Sequence, residues 1–270
     1  MKMTLKEAKE QLEQAGVPDP LADARRIFSE LGGLKSYQLL SLTACTDSEA
    51  VISAIERRKQ REPLQYIIGE TDFYRERYKV TPDCLIPRED TEILVDYAVK
   101  NIPRGARFID LCTGSGCIAL SVLNNTENTS ALLVDLSEGA LKVASENALR
   151  LGLSERVTLM RSDATKPIKT DKVFAVLSNP PYVSNSAYTA LEKEIFFEPK
   201  EAFVGGEDGA DFYRSITPLY KDLIEDDGFI AYEIGYDQSE IIKDIAKENE
   251  MSVSIYKDLS GNDRLAVLTN

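Results

Sequence analysis

Apolar residues in the first part of the chain repeat at helical spacing. They recur every three or four positions over residues 5–15, over residues 21–31 and again from residue 50 to Pro63, with charged residues between them. Pro18-Asp19-Pro20 and the pair Gly32-Gly33 interrupt this pattern, as helix ends commonly do. The sequence therefore predicts a small helical N-terminal domain over residues 1–63.

Residues 64–87 have a different pattern, rich in aromatic and β-branched side chains with Gly69 among them. Such composition favours strands, and we predict a β-hairpin linker here. From residue 88 to residue 270, short apolar runs alternate with helical patterns. The predicted strands are 107–111, 131–136, 157–160, 173–177 and 229–234, and the clearest helices are 140–151 and 212–224.

Alternation of this kind predicts an α/β domain with a mostly parallel, Rossmann-like sheet covered on both faces. The end of the chain differs from the rest. Two strand patterns, 253–259 and 265–268, flank the polar turn Ser260-Gly261-Asn262-Asp263, which predicts an antiparallel C-terminal hairpin.

Composition narrows the chemistry. The 270 residues include four cysteines without a CxxC pair and no histidine, so we expect neither a metal site nor imidazole catalysis. The formal charge of −13 disfavours a nucleic-acid partner, because phosphate backbones are anionic. No apolar run suits a membrane helix or a secretory signal, so we expect a cytoplasmic protein without a membrane partner.

A glycine-containing turn, Asp110-Leu111-Cys112-Thr113-Gly114-Ser115-Gly116, ends the first strand of the α/β region. Glycines allow a ligand to approach the backbone closely, and Asp135, 19 residues after Gly116, is placed to accept hydrogen bonds from ribose hydroxyls. The pair predicts a nucleoside cofactor, either a nicotinamide dinucleotide or S-adenosylmethionine. The alternative is an ordinary turn followed by a helix-capping aspartate.

The string Asn179-Pro180-Pro181-Tyr182 follows the apolar strand 173–177 directly. An amide nitrogen is a poor nucleophile, and two acceptors holding its N–H groups can aim it at an electrophile. The Asn179 side-chain oxygen and the Pro180 carbonyl are such acceptors, and the Tyr182 ring offers a flat face for a planar amide or base. The alternative is a structural turn, since Asn and Pro are common in turns.

Together these strings resemble class I S-adenosylmethionine-dependent methyltransferases that modify planar amino nitrogens. Further strings resemble, more narrowly, the peptide chain release factor glutamine-N5 methyltransferases (the PrmC/HemK family). The strings are 85–92, Glu198-Pro199, 205–209, Glu233-Ile234-Gly235 and 258–264. The resemblance covers the whole chain and is most specific in its second half.

This resemblance implies that the methyl donor is S-adenosylmethionine and that the target is the glutamine of the Gly-Gly-Gln loop in class 1 release factors. The N-terminal domain would recognise that substrate. Asn179, Pro180 and Tyr182 are the predicted catalytic residues. The predicted cofactor residues are Cys112, Thr113, Gly114, Ser115, Gly116, Asp135, Asp163, Ala164 and Asn179. The predicted substrate residues are Asn179, Pro180, Pro181, Tyr182, Arg88 and Glu92.

The sequence departs from the family's pattern at some positions, and alternative functions are still open. Cys112 stands where the family usually has Gly, and Ala164 where many members have an aromatic residue. An alternative interpretation of Arg88 to Glu92 is simple helix capping. An alternative interpretation of residues 205–209 is an ordinary loop. The alternative functions are a ribosomal-protein glutamine methyltransferase, an adenine-N6 nucleic-acid methyltransferase and a non-catalytic binding module.

Overall fold

A computed structural model describes residues 2–270, so the first residue of the predicted N-terminal domain lies outside the described part. The chain forms two compact units. One comprises the chain up to Glu70 together with Glu192–Phe197, and the other comprises Thr71–Leu191 and Glu198–Asn270. In residues 2–270, no helix combines the length and apolar character that crossing a membrane requires.

The smaller unit is mainly helical, as predicted. Its elements are β1 (Met3–Thr4), α1 (Leu5–Gln14), α2 (Pro20–Glu30), β2 (Cys45–Thr46), α3 (Glu49–Lys59) and α4 (Leu64–Ile68). Thr4 begins α1 with a capping box, because its hydroxyl accepts from the Glu7 backbone while the Glu7 carboxylate accepts from the Thr4 backbone. The predicted apolar faces of the helices meet in one core.

The start of the predicted hairpin linker differs from the expectation. Residues 64–68 form the helix α4, which begins after Pro63 and ends where Gly69 takes a left-handed conformation with φ 85°. A hairpin follows, built from β3 (Glu70–Phe73) and β4 (Glu76–Lys79). The aromatic and β-branched residues that favoured strands are thus divided between a short helix and the hairpin.

The segment 192–197 belongs to the helical unit although it is distant in sequence, and nothing in the sequence pattern predicted this. Glu194 accepts hydrogen bonds from Arg58 Nη1 at 3.0 Å and from Arg61 Nε at 2.6 Å. Arg58 is buried and also donates to Asp23 at 2.7 Å. A buried arginine with two carboxylate partners is compensated, so this network joins the segment to α2 and α3.

The larger unit is built on one seven-stranded sheet. Its strands are β5 (Arg107–Leu111), β6 (Ser130–Asp135), β7 (Val157–Arg161), β8 (Val173–Ser178), β9 (Ile224–Glu233), β10 (Ser252–Lys257) and β11 (Asp263–Thr269). Its helices are α5 (Glu92–Asn101), α6 (Cys117–Asn124), α7 (Glu138–Arg150), α8 (Asn185–Tyr188), α9 (Asp211–Tyr220) and α10 (Ser239–Glu248). The order is β10-β11-β9-β8-β5-β6-β7, with β5 to β9 parallel and β10 and β11 antiparallel. The predicted fold class is confirmed.

The sheet brings the two predicted motifs together. Strand β5 lies between β6 and β8, with Leu111 paired to Val134 on one side and to Ser178 on the other. The strand order reverses at this point, and ligands of open α/β sheets bind in the crevice beyond the carboxyl ends of such strands. The glycine turn after β5 and the Asn-Pro-Pro-Tyr turn after β8 therefore face one crevice.

Candidate active site

A cavity of about 780 Å³ lies at the carboxyl-terminal edge of β5 to β8, a size typical of small-ligand sites. All of its lining residues belong to the larger unit. They are Pro82, Asp83, Cys84, Leu85, Cys112, Gly114, Asp135, Leu136, Ser137, Ala140, Ser162, Asp163, Ala164, Asn179, Pro181, Pro199, Lys200, Glu201, Ala202, Val204 and Phe212.

The glycine turn and Asp135 hold each other in place. The Gly114 backbone N–H donates to Asp135 Oδ2 at 2.8 Å, and the Ser137 N–H donates to Oδ1 at 2.9 Å. Burial raises the pKa of Asp135, while these two amides lower it. Cys112 has φ 58°, a left-handed conformation that costs a residue with a side chain about 1–2 kcal/mol relative to glycine.

Asp110 is a buried carboxylate beneath the turn. Its Oδ2 accepts from the Thr113 hydroxyl at 2.5 Å and from the Ala119 backbone N–H at 3.3 Å. Its Oδ1 has no hydrogen-bond partner within residues 2–270. Burial raises the pKa of Asp110 to about 7, although the two hydrogen bonds oppose this shift.

The predicted cofactor residues fall into two groups. Six line the cavity, namely Cys112, Gly114, Asp135, Asp163, Ala164 and Asn179. Thr113, Ser115 and Gly116 are not among the lining residues, and they support the turn instead. Gly116 precedes α6 with φ 81°, and a side chain there would place its Cβ 3.1 Å from Ala144 and from Leu120.

The charges that line the cavity discriminate between cofactors. Four acids line it, Asp83, Asp135, Asp163 and Glu201, against the single base Lys200. Such a lining favours a cationic ligand and opposes a pyrophosphate. The Gly114 amide, which would face a phosphate in a dinucleotide site, already donates to Asp135. The residues present fit S-adenosylmethionine, which carries a sulfonium, an ammonium and a ribose, better than a nicotinamide dinucleotide.

Asn179 is oriented by a buried neighbour. Its Nδ2 donates to the Thr91 hydroxyl oxygen at 3.2 Å, whereas its Oδ1 accepts no hydrogen bond from residues 2–270. The amide nitrogen is thereby engaged with the protein, and the side-chain oxygen stays available as an acceptor at the cavity. The role of this oxygen as an acceptor for a substrate amide stays a prediction.

The loop after Tyr182 is held by two glycines. A Cβ at Gly205 would lie 2.4 Å from the Pro181 carbonyl oxygen, and a Cβ at Gly209 would lie 2.2 Å from the Tyr182 carbonyl oxygen. Gln238 Nε2 donates to that same Tyr182 oxygen at 3.0 Å. The string 205–209 is thus a close-packed support of the Asn-Pro-Pro-Tyr turn, rather than an ordinary loop.

The other predicted substrate residues in the turn differ in whether they line the cavity. Pro181 lines the cavity, whereas Pro180 is buried and is not among the lining residues. Tyr182 is half-buried, and its hydroxyl donates to Glu233 Oε1 at 3.1 Å. The roles of Pro180 and Tyr182 in holding substrate remain predictions.

Arg88 and Glu92 have partners within the protein. Arg88 bonds the buried Glu198 carboxylate, which also accepts from the Ile86 backbone at 2.9 Å. Glu92 accepts from the Tyr74 backbone N–H at 2.7 Å and so supports the β3–β4 hairpin. Arg88 thereby ties the chain before α5 to the segment after Phe197, and direct substrate contact by either residue remains a prediction.

Several residues at the site were not assigned roles from the sequence. Pro82 to Cys84 and Lys200 to Ala202 line the cavity, yet they carry no motif. Glu198 and Glu233 belong to strings that carried the family resemblance, so that resemblance was the one signal pointing to them. Their contacts with Arg88 and Tyr182 span 110 and 51 residues of sequence. Pattern reasoning along the chain does not reveal such distant pairs.

Comparison with known protein families agrees with this geometry. Residues 89–207 match the family described as Methyltransferase small domain, and residues 4–69 match the PrmC N-terminal domain. The release factor glutamine methyltransferase of Thermodesulfovibrio yellowstonii is 41% identical over 258 residues, which cover 92% of each chain. That of Moorella thermoacetica is 35% identical over 275 residues, covering 98% of this chain and 96% of its own.

A solved structure supports the fold alone. The ribosomal protein L11 methylase from Lactobacillus delbrueckii subsp. bulgaricus aligns with 68% of this chain and 80% of its own at a TM-score of 0.51. Its sequence identity of 16% shows the shared class I methyltransferase fold and leaves the substrate open.

Proposed function

The chain belongs to the release factor glutamine methyltransferase family, and from this premise we propose that it methylates the side-chain amide nitrogen, N5, of the glutamine in the Gly-Gly-Gln loop of class 1 peptide chain release factors. The observation that carries this proposal is identity of 41% over 92% of both chains with a relative of that name. The methyl donor is S-adenosylmethionine, which supplies a methyl group bound to a positively charged sulfur.

The residues after β5, β6 and β7 would hold the donor. The carboxylate of Asp135, which accepts from the Gly114 amide, would also accept hydrogen bonds from the ribose hydroxyls. The acidic lining of the cavity stabilises the cationic groups. Ala164 lines the cavity and has no aromatic ring, so it would offer the adenine only an aliphatic contact.

The turn after β8 orients the nucleophile. Asn179 Oδ1 accepts one N–H of the substrate amide, because Thr91 engages the Nδ2 on the other side. The Pro180 carbonyl accepts the second N–H, and the Tyr182 ring packs against the amide plane. Holding reactants in this way contributes about 7–11 kcal/mol to lowering a barrier, so the reaction needs no histidine.

The partner class follows from charge and from family membership. A formal charge of −13 disfavours a nucleic-acid substrate, and a protein of the translation machinery implies a cytoplasmic location. The ribosomal-protein alternative has only a fold likeness at 16% identity in its favour. We therefore expect a release factor, rather than ribosomal protein or nucleic acid, as substrate.

The experiment is methyl transfer from labelled S-adenosylmethionine to a full-length release factor, a ribosomal protein L11, duplex DNA and RNA in parallel. We expect label in the release factor alone. Label entering duplex DNA, with binding that weakens steeply as salt rises, would instead support the adenine alternative. Calorimetry with a nicotinamide dinucleotide completes the test, because tight binding of that ligand without affinity for S-adenosylmethionine would overturn the proposal.

A further inference from the structure

Glu233, the last residue of β9, contacts the active-site turn without lining the cavity. The residue is 1% exposed, and its Oε1 accepts from the Tyr182 hydroxyl at 3.1 Å. Its Oε2 has no hydrogen-bond partner of normal geometry within residues 2–270. Burying a carboxylate this deeply costs free energy of folding. Because Glu233 lies beside the turn that we propose orients the nucleophile, we looked for its role there.

Thr91 connects the same carboxylate to Asn179. The Thr91 hydroxyl is 2% exposed and accepts from Asn179 Nδ2. A hydroxyl that accepts in this way still has one proton to donate, and Thr91 interacts with Glu233 so as to lower the pKa of that carboxyl. The Tyr182 hydroxyl thus donates directly to Glu233, and the Thr91 hydroxyl that holds Asn179 interacts with the same carboxylate.

The position and charge of Glu233 are set by its neighbours. Tyr213 holds the residue's main chain, because its hydroxyl donates to the Glu233 carbonyl oxygen at 2.8 Å. Burial raises the pKa of Glu233, and Asp90 adds to this, whereas Thr91, Tyr182 and the positive charge of Arg264 favour the ionised form. Arg264 is itself held by the Ile234 carbonyl at 3.3 Å and by Asp90 at 3.2 Å.

We propose that Glu233 is a positioning residue for methyl transfer, which orients the Tyr182 hydroxyl directly and the Asn179 side-chain amide through Thr91. The proposal rests on the proposed function. A carboxylate oxygen accepts, so in this proposal the Thr91 proton is directed to Glu233 while a Thr91 lone pair accepts from Asn179 Nδ2. That arrangement keeps Asn179 Nδ2 inward and Oδ1 toward the substrate amide.

Glutamine at this position tests the idea sharply, because it keeps the shape of Glu233 but can donate. A Gln side-chain amide that donates to Thr91 leaves the Thr91 proton without its acceptor at residue 233, so the proton is free to turn toward Asn179. Thr91 then no longer fixes which of the Asn179 atoms Oδ1 and Nδ2 faces the substrate. In a fraction of the enzyme molecules Asn179 presents an N–H, rather than its oxygen, to the substrate amide. We expect a lower rate of methyl transfer without loss of the donor site.

The experiment measures single-turnover methylation of a full-length release factor at saturating S-adenosylmethionine, with donor affinity by calorimetry and Tm for each variant. Glu233→Gln and Thr91→Val should each lower the rate by up to roughly 10²-fold and leave donor affinity within a few-fold. Thr91→Ser, which keeps the hydroxyl, should restore most of the rate. The double variant should be no slower than the slower single variant, since both act through one chain of contacts.

Tyr78→Phe is the matched control. It removes a buried hydrogen bond to Ser121, outside the chain of contacts from Glu233 to Asn179, and should lower Tm while leaving the single-turnover rate within a few-fold. Rates for Glu233→Gln and Thr91→Val that equal the wild-type rate would overturn the inference, as would rate losses that simply follow Tm across all variants. A wild-type enzyme that fails to methylate the release factor would instead overturn the proposed function.

Discussion

The two turns that face the crevice are built in different ways. The turn after β5 is held by neighbours along β5 and β6, with Gly114 bonded to Asp135 and Thr113 bonded to Asp110. The turn after β8 is held by distant parts of the chain, since Asn179 bonds Thr91, 88 residues away. In our proposal the first turn holds the donor, and the second turn, which orients a weak nucleophile, depends on support from distant parts of the chain.

The largest effect expected from this comparison is on turnover. Asn179→Ala removes the acceptor for one substrate N–H and should lower the single-turnover rate by roughly 10²-fold or more. Donor affinity should stay within a few-fold, because the β5 turn is intact. Asn179→Asp keeps an acceptor but adds a negative charge beside the donor, so partial activity is expected. If Asn179→Ala methylates at the wild-type rate, Asn-Pro-Pro-Tyr is a structural turn and the orienting role is wrong.

The reverse pattern is expected on the cofactor side. Asp135→Ala removes a carboxylate that accepts from Gly114 and Ser137 and, in our proposal, from the ribose. Losing hydrogen bonds to a charged group costs about 1.5–3 kcal/mol, so the donor affinity measured by calorimetry should fall about 10- to 10²-fold. The rate at saturating donor should fall much less. Unchanged affinity would mean that Asp135 only supports the turn.

A smaller effect is expected where the β8 turn meets its glycine support. Gly209→Ala places a Cβ against the Tyr182 carbonyl at φ 81°, so it combines backbone strain of about 1–2 kcal/mol with overpacking of about 1–3 kcal/mol. Gly152→Ala is the control, because Gly152 has φ 70° and open space around its Cβ position. Urea unfolding should show a larger loss of free energy of unfolding for Gly209→Ala than for Gly152→Ala, and Gly209→Ala should also transfer methyl groups more slowly. Equal losses would show that the contact with Tyr182 contributes nothing.

The last expected effect is a pH dependence of stability, and it comes from Asp110. Burial raises its pKa from 3.8 to about 7, so the folded protein binds the proton more tightly than the unfolded chain. Its contribution to stability is then fully present below about pH 3.8 and is lost as pH rises to about 7. Asp110→Asn stays neutral, so its stability relative to wild type should rise between pH 5 and pH 8.

Tm measured at several pH values checks this expectation. A difference between Asp110→Asn and wild type that stays constant over this range would mean that Asp110 ionises at the same pH in the folded and the unfolded protein.

The sequence predicted features that depend on neighbouring residues, and it did not predict contacts between distant parts of the chain. Periodicity predicted the helices and the parallel sheet because each pattern is local, and the spacing of Gly116 and Asp135 predicted a nucleoside site for the same reason. The helix 64–68 was missed because its aromatic and β-branched residues also favour strands. The Thr91–Asn179 and Tyr182–Glu233 contacts depend on how β8, β9 and the chain before α5 converge, which no local pattern encodes.

The most direct test of the central claim locates the transferred methyl group. The wild-type enzyme is incubated with S-adenosylmethionine and a full-length release factor, and tandem mass spectrometry of the digested substrate identifies the modified residue. We predict a single added methyl group on the side-chain amide of the glutamine in the Gly-Gly-Gln loop, absent when that glutamine is replaced by alanine. Methylation at another residue, or a methyl group that is still added to the alanine substrate, would contradict the account.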